Sequence, residues 1–100
     1  MREKIKKILS EQPSKVEVYV FGSILTSKKP NDLDIIIVYN SKEHPGSSIY
    51  KSCRNLLNTL HKTFKLDIDI TVLSYSENEE IGFTEKVQAI RLDRFLYKLI

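Results

Sequence analysis

The spacing of apolar residues predicts three strands and two longer helices. Alternating or continuous apolar residues cover Val16–Phe21, Asp32–Tyr39 and Leu66–Leu73, and their β-branched and aromatic content is typical of strands. Apolar residues recur every three or four positions in Arg2–Glu11 and Ser47–Phe64, which predicts two amphipathic helices. This order of elements favours an α/β (α+β) fold, a small mixed β-sheet covered by helices.

The C-terminal quarter of the chain gives weaker signals. Ser76 with Glu79 three residues later is a capping-box pattern, and it predicts a helix that runs through Gln88 despite Gly82. The segment 89–100 fits a strand, a helix, or a strand followed by a helix. Its last apolar side chains are expected to pack within the chain or against another copy of it: Tyr97, Leu99 and Ile100.

Pairs of aspartates enter two of the predicted strands. Because side chains alternate between the faces of a strand, Asp32 and Asp34 share one face, and so do Asp67 and Asp69. Two carboxylates about 5 Å apart repel by roughly 3 kcal/mol at an effective dielectric near 20, so a cation between them would stabilise the pair. Oxygen ligands favour magnesium or manganese. The plainer alternative is that these aspartates only face solvent in turns and edge strands.

A Gly-Ser turn ends the first strand, and it has the residue types that approach a phosphate. Gly22 has no Cβ to obstruct a ligand, and Ser23 is predicted to begin a single helical turn, Ser23–Thr26, with its hydroxyl and nearby N–H groups outward. In the following loop, Lys28 and Lys29 either reach a triphosphate or keep the loop solvated. Taken alone, Gly-Ser at a strand end is also an ordinary turn.

Length and composition narrow the class of protein. One hundred residues fit a single domain over 1–100, without a separate substrate-gripping domain. A net charge of +3 is far below that of a dedicated nucleic-acid binder, so Lys4, Lys6 and Lys7 are either a nucleic-acid contact or a solvated helix face. The single cysteine, Cys53, and the lack of an apolar run near ~20 residues predict a cytoplasmic protein without a membrane segment.

The order of three features makes the chain similar to the DNA polymerase beta-like nucleotidyltransferase superfamily in its minimal, single-domain form. The features are Gly22-Ser23, Asp32-Leu33-Asp34 and the acidic strand from Asp67 to Leu73. The resemblance covers roughly Val16 to Ser74. It implies the nucleotidyltransferase fold, with the palm-like sheet of the polymerases.

The resemblance also implies roles for individual residues. Gly22 and Ser23 would hold the triphosphate, and Asp32 and Asp34 would bind two divalent ions, magnesium or alternatively manganese. Asp69 would bind the catalytic ion and orient or deprotonate the attacking hydroxyl. Asp67 lies on the same face, and Asp69 is favoured over it because of its more central place in the strand.

One departure from the family pattern concerns the connection between the turn and the aspartate pair. Members commonly have a longer connection with an arginine after the serine, whereas here eight residues, 24–31, intervene and none is arginine. Lys28 or Lys29 would then be the phosphate ligand, as a point charge rather than a bidentate fork.

The resemblance implies a metal-dependent enzyme that moves a nucleoside monophosphate from a nucleoside triphosphate, ATP first among them, to a hydroxyl of a protein or nucleic acid. Minimal members often pair with a small helical protein as a toxin–antitoxin module, so a protein partner is expected. The alternative is a catalytically silent module with the same fold that binds a nucleotide or a partner. Nucleic-acid binding through the N-terminal lysines stays open.

Overall fold

The computed structural model describes residues 2–100, and within them four strands form one sheet. The strands are β1 (Val16–Phe21), β2 (Asp32–Tyr39), β3 (Asp67–Ser74) and β4 (Ile90–Arg91). The α-helices are α1 (Arg2–Ser10), α2 (Ser23–Thr26), α3 (Ile49–Phe64), α4 (Tyr75–Ile81), α5 (Phe83–Lys86) and α6 (Leu92–Tyr97), with a 3-10 turn at Gly46–Ser48 before α3. The three predicted strands and the two longer helices are therefore present, with boundaries that shift by at most a few residues.

The sheet is mixed, and its strand order is β3-β2-β1-β4. β1 is antiparallel to both β2 and β4, while β3 is parallel to β2. Parallel neighbours need a crossover, and α3 is the crossover here. The predicted fold class, a small mixed sheet covered by helices, is confirmed.

One face of the sheet forms the main core. Alternate residues of β1 and β2 point into it together with the apolar stripes of α1, α3 and α6. The core members from the strands are Val16, Val18, Val20, Leu33, Ile35 and Ile37. The buried residues of α3 include Cys53, as expected for a core cysteine, whereas His61 is exposed and its Nδ1 lies 2.8 Å from the carbonyl oxygen of Leu66.

The opposite face is covered over only half of its length. Ile36 and Val38 of β2 point to this face and are 0% and 1% exposed. The helix α4 starts where β3 ends and contacts both β2 and β3. Beside it, the ring of Phe83 in α5 meets the ring of Phe21 edge-on at a centroid distance of 5.8 Å. The aspartate ends of β2 and β3 lie outside this cover.

The predicted capping box is wrong by two residues. The cap of α4 is Ser74, whose hydroxyl accepts a hydrogen bond from the Glu77 N–H at 3.1 Å, while the Ser74 N–H donates to Glu77 Oε1 at 2.8 Å. The helix also does not run through Gln88, because Gly82 adopts a left-handed conformation (φ 68°) and separates α4 from α5. A glycine in this conformation is a common helix end.

The C-terminal segment is a strand followed by a helix, the last of the three predicted alternatives. Its terminal apolar side chains are only partly covered within the chain. Tyr97, Leu99 and Ile100 are 51%, 43% and 50% exposed. Pairing with another copy of the chain stays a prediction. Over residues 2–100, no helix combines the length and the apolar character needed to cross a membrane.

Candidate active site

Four aspartates lie in two adjacent rows at one end of the sheet. In the parallel pairing of β2 with β3, Asp32 is opposite Asp67 and Asp34 is opposite Asp69. Neighbouring strands are about 4.8 Å apart, so the paired backbones bring carboxylates of both strands within range of one another. Because both pairs lie within strands, Asp32 and Asp34 share one face of the sheet, as do Asp67 and Asp69, as the sequence predicts.

Asp34 is the aspartate most affected by its surroundings. It is half-buried, whereas Asp67 and Asp69 on the edge strand are exposed. Burial raises the pKa of Asp34 above its ordinary value, and the negative charges of Asp69 and then Asp32 raise it further. Because a raised pKa means that the ionised carboxylate is disfavoured, a cation bound here would relieve both causes.

Gly22 lies directly against Asp34. The register of β1 with β2 places Phe21 opposite Asp34, and the chain then turns at Gly22 with φ 83° and ψ −151°. Only glycine adopts this region readily. A Cβ added to Gly22 would collide with Oδ2 of Asp34. The absence of a side chain at position 22 therefore allows the turn and the carboxylate to share this space.

Ser23 is the first residue of α2, next to this contact. It is half-buried, and the cap residue of the short helix is Gly22, so the serine side chain does not cap the helix itself. Lys28 and Lys29, in contrast, are exposed in the loop that leads to β2, and neither is in the ion pairs found among residues 2–100. The structure thus places Gly22 against Asp34, with Ser23 next in the chain, and among residues 2–100 no ion pair joins the two lysines to the aspartates.

The donor chemistry of the site fits a hard divalent cation, because it consists of carboxylate oxygens whose charges repel. In the part of the chain from residue 2 to residue 100, however, no three Asp, Glu, His or Cys side chains are already gathered closely enough to hold an ion. Asp34 and Asp69 are paired across the two strands and Asp32 lies two residues before Asp34, but their carboxylates do not yet form one ligand cluster within residues 2–100. The site therefore fits a divalent cation in its residue types and in the raised pKa of Asp34. Binding an ion would require the aspartate side chains to move closer together.

The sheet face beside the aspartates contains contacts that the sequence analysis did not single out. Phe83 reaches Phe21, the neighbour of Gly22, from a helix distant in the sequence. Further along the same face, the Tyr19 hydroxyl donates a hydrogen bond to Glu17 Oε1 at 2.7 Å. Burial and Glu17 raise the pKa of Tyr19 to about 12, so this hydroxyl keeps its proton. The Phe21–Phe83 contact has no local sequence signal, because it depends on how α5 returns to the sheet, whereas the alternation of β1 places Glu17 and Tyr19 on one face.

Comparison with known proteins covers most of the chain. The family model described as Polymerase beta, Nucleotidyltransferase matches residues 3–94. Among solved structures, a candidate nucleotidyltransferase from Sulfolobus solfataricus is 21% identical, with a TM-score of 0.48 over 90% of this chain and 73% of the other. A second candidate nucleotidyltransferase is 18% identical, with a TM-score of 0.44 over 91% of this chain and 96% of the other. No curated protein matches the sequence.

Proposed function

The chain belongs to the polymerase beta nucleotidyltransferase family, and on that premise we propose that it moves a nucleoside monophosphate from a nucleoside triphosphate to an acceptor hydroxyl. ATP is the first donor to test. The observation that carries the proposal is the contact of Gly22 with Asp34, opposite Asp69, because it joins the phosphate-binding turn to the carboxylates. The site belongs to a single domain, 1–100.

In the proposed reaction, the acceptor oxygen forms a bond to the α-phosphorus, and the bond from that phosphorus to the bridging oxygen breaks, so that pyrophosphate leaves. Asp69 orients the acceptor hydroxyl and takes its proton. The Ser23 hydroxyl and the N–H groups of the turn bind the β- and γ-phosphates, which hold the leaving group. Lys28 or Lys29 contributes a positive charge to the same phosphates from the loop.

Asp32, Asp34 and Asp69 would hold two magnesium ions, with manganese as an alternative. Ions at such a site neutralise the negative charge that develops on the transferred phosphoryl group and on the pyrophosphate. The raised pKa of Asp34 supports this assignment, since burial and two neighbouring carboxylates disfavour its charge in the metal-free protein.

The direct test is transfer of label from each α-labelled nucleoside triphosphate, with magnesium, in the presence and absence of a host lysate. A labelled protein or nucleic-acid band identifies the class of acceptor. The Asp34→Asn variant should fold, lose magnesium binding and reduce transfer by about 1000-fold or more, because a metal clamp supplies several kcal/mol of charge stabilisation. Glu80→Gln, an exposed change on α4, is the charge-matched control and should transfer like the unmodified chain.

Two results would count against this function. Full activity in Asp34→Asn would show that the site is elsewhere. Magnesium-dependent nucleotide binding in calorimetry without any transfer would favour the catalytically silent module.

The acceptor class decides between two biological settings. A labelled partner protein would support the antitoxin role that the resemblance implies, whereas a labelled nucleic acid would support an enzyme that modifies nucleic-acid ends.

A further inference from the structure

A groove between α1 and α3 gathers lysines from two helices. Its volume is about 230 Å³, and it is lined by Lys4 and Lys7 of α1 and by Thr59, Lys62 and Thr63 of α3. None of these lysines takes part in the two ion pairs found among residues 2–100. Three ammonium groups therefore surround one concave surface without a carboxylate within salt-bridge distance.

The groove has a fixed wall and one acidic neighbour. The Thr59 hydroxyl donates to Glu11, lying 2.8 Å from Oε1 and 3.0 Å from Oε2, and this bond ties the chain after α1 to the side of α3. Glu11 is thus held at one end of the groove by a neutral hydroxyl rather than by a lysine. The Thr63 hydroxyl has no such partner among the hydrogen bonds of residues 2–100, so it is available to a ligand.

The positive charge of the molecule is concentrated in two of its helices. The helices α1 and α3 contain seven basic residues and one acidic residue, Glu3, whereas the full chain has a net charge of only +3. The remaining residues, which include the aspartate rows and the glutamates of α4, are therefore net acidic. Such a separation attracts a polyanion to the helices α1 and α3, where the positive charge is concentrated.

The groove lies close to the aspartates along the chain. The helix α3 ends at Phe64, the exposed Lys65 turns the chain with φ 57°, and β3 begins at Asp67. Five residues from Lys62 to Asp67 span at most about 18 Å even when extended. A few nucleotides are enough to connect the groove with the acidic end of the sheet.

We propose that this groove binds the phosphate backbone of a nucleic-acid acceptor and thereby brings its terminal hydroxyl to the aspartates. This inference rests on the proposed function, and it names the acceptor class. Lysines bind phosphates as point charges, and no aromatic side chain lines the groove to stack on a base. Binding is therefore independent of sequence and depends steeply on salt.

The test is fluorescence anisotropy of a short, labelled, single-stranded RNA, and of DNA of the same sequence, without nucleoside triphosphate or magnesium. The double variant Lys7→Gln/Lys62→Gln should bind about tenfold more weakly at ~0.1 M salt. Its slope of log K against log salt should be smaller by about 1.4, because each single-strand phosphate contact contributes about 0.7. The matched control Lys42→Gln/Lys86→Gln changes two exposed lysines outside the groove and should bind within about twofold of the unmodified chain.

Equal loss of RNA affinity in both double variants would contradict the groove as the binding site, since the attraction would then come from net charge alone. Absence of binding by the unmodified chain would overturn it as well, including the case in which an acidic partner protein binds in its place. The Asp34→Asn variant separates the two proposals because it should bind RNA normally. RNA binding that depends on the groove, without any transfer, would contradict only the proposed function. Transfer to a protein, without RNA binding, would contradict only the groove as the acceptor-binding site.

Discussion

The two ends of one sheet face have opposite character although the same strands form both. At one end, Asp34 of β2 faces Asp69 of β3 in an open, acidic row. At the other end, Ile36 and Val38 are buried where α4 crosses β2 and β3. The difference arises because α4 begins immediately after Ser74 and returns over the far half of the face, so that the aspartates lie on the half that it leaves uncovered.

The largest expected effect separates the two aspartates of β3 at the open end. Asp69→Asn should reduce transfer by about 1000-fold, because it removes the carboxylate opposite Asp34, whereas Asp67→Asn should reduce it by less than about tenfold. Initial rates of label transfer measure this contrast, and the melting temperature verifies folding. The reverse order of the two effects would make Asp67 the third carboxylate.

A change at the covered end should affect stability instead of chemistry. Ile36→Ala should lower the free energy of unfolding by about 3 kcal/mol, because it leaves a cavity under a fully buried side chain. Transfer per folded molecule should not change. Urea denaturation gives the first quantity, and Ile81→Ala, at a 47% exposed residue, is the control that should cost less than about 0.5 kcal/mol. A large loss of transfer at unchanged stability would mean that the two ends are coupled.

Two glycines with positive φ allow a comparison between a position that contacts the open end and one that does not. Gly82→Ala should cost about 1–2 kcal/mol of stability for its left-handed backbone, and Gly22→Ala about 1–3 kcal/mol for a conformation that only glycine adopts readily. Only Gly22→Ala should also impair magnesium binding and transfer, because its Cβ would displace the Asp34 carboxylate, whereas nothing lies within 4 Å of a Cβ at position 82. Calorimetric titration with magnesium distinguishes the variants. Equal magnesium affinity in both would show that the Gly22 contact is not needed by the site.

The smallest expected effect is on the pH dependence of stability. The folded protein raises the pKa of Asp34 above the ordinary value of 3.8, so the folded state binds this proton more tightly than the unfolded state. Protonation of Asp34 therefore contributes to the free energy of unfolding at low pH, and this contribution is lost as the pH rises through the raised pKa. In EDTA, Asp34→Asn should therefore gain melting temperature relative to the unmodified chain between about pH 3 and about pH 7. A constant difference over that range would contradict the electrostatic account.

Sequence periodicity predicted the fold well wherever a segment decides its own structure. Asp32–Tyr39 has the predicted bounds as β2, and apolar spacing also predicted α3 and the acidic strand β3 to within two residues. The capping box was misplaced because Ser74 and Ser76 both stand three residues before a glutamate, and only the end of β3 decides between them. The two-residue β4 is too short to give any periodic signal.

The candidate site was predictable in its residues but not in its arrangement. Gly22, Ser23 and the aspartates stand out by type and order, yet the collision that a Cβ at position 22 would make with Asp34 depends on the register between β1 and β2. The groove was beyond sequence reasoning for a similar reason. Its lysines come from α1 and from the end of α3, which only tertiary packing brings together.

The position of β3 at the edge of the sheet gives its aspartates a second consequence. An edge strand with the alternating sequence of β3 is a template for pairing with a strand of another molecule, and charged side chains on the edge oppose such pairing. In a parallel, in-register pair of two β3 strands, Asp67 and Asp69 would lie against their own copies. The carboxylates proposed for chemistry therefore also protect the protein from aggregation, and saturating them with divalent cations weakens that protection.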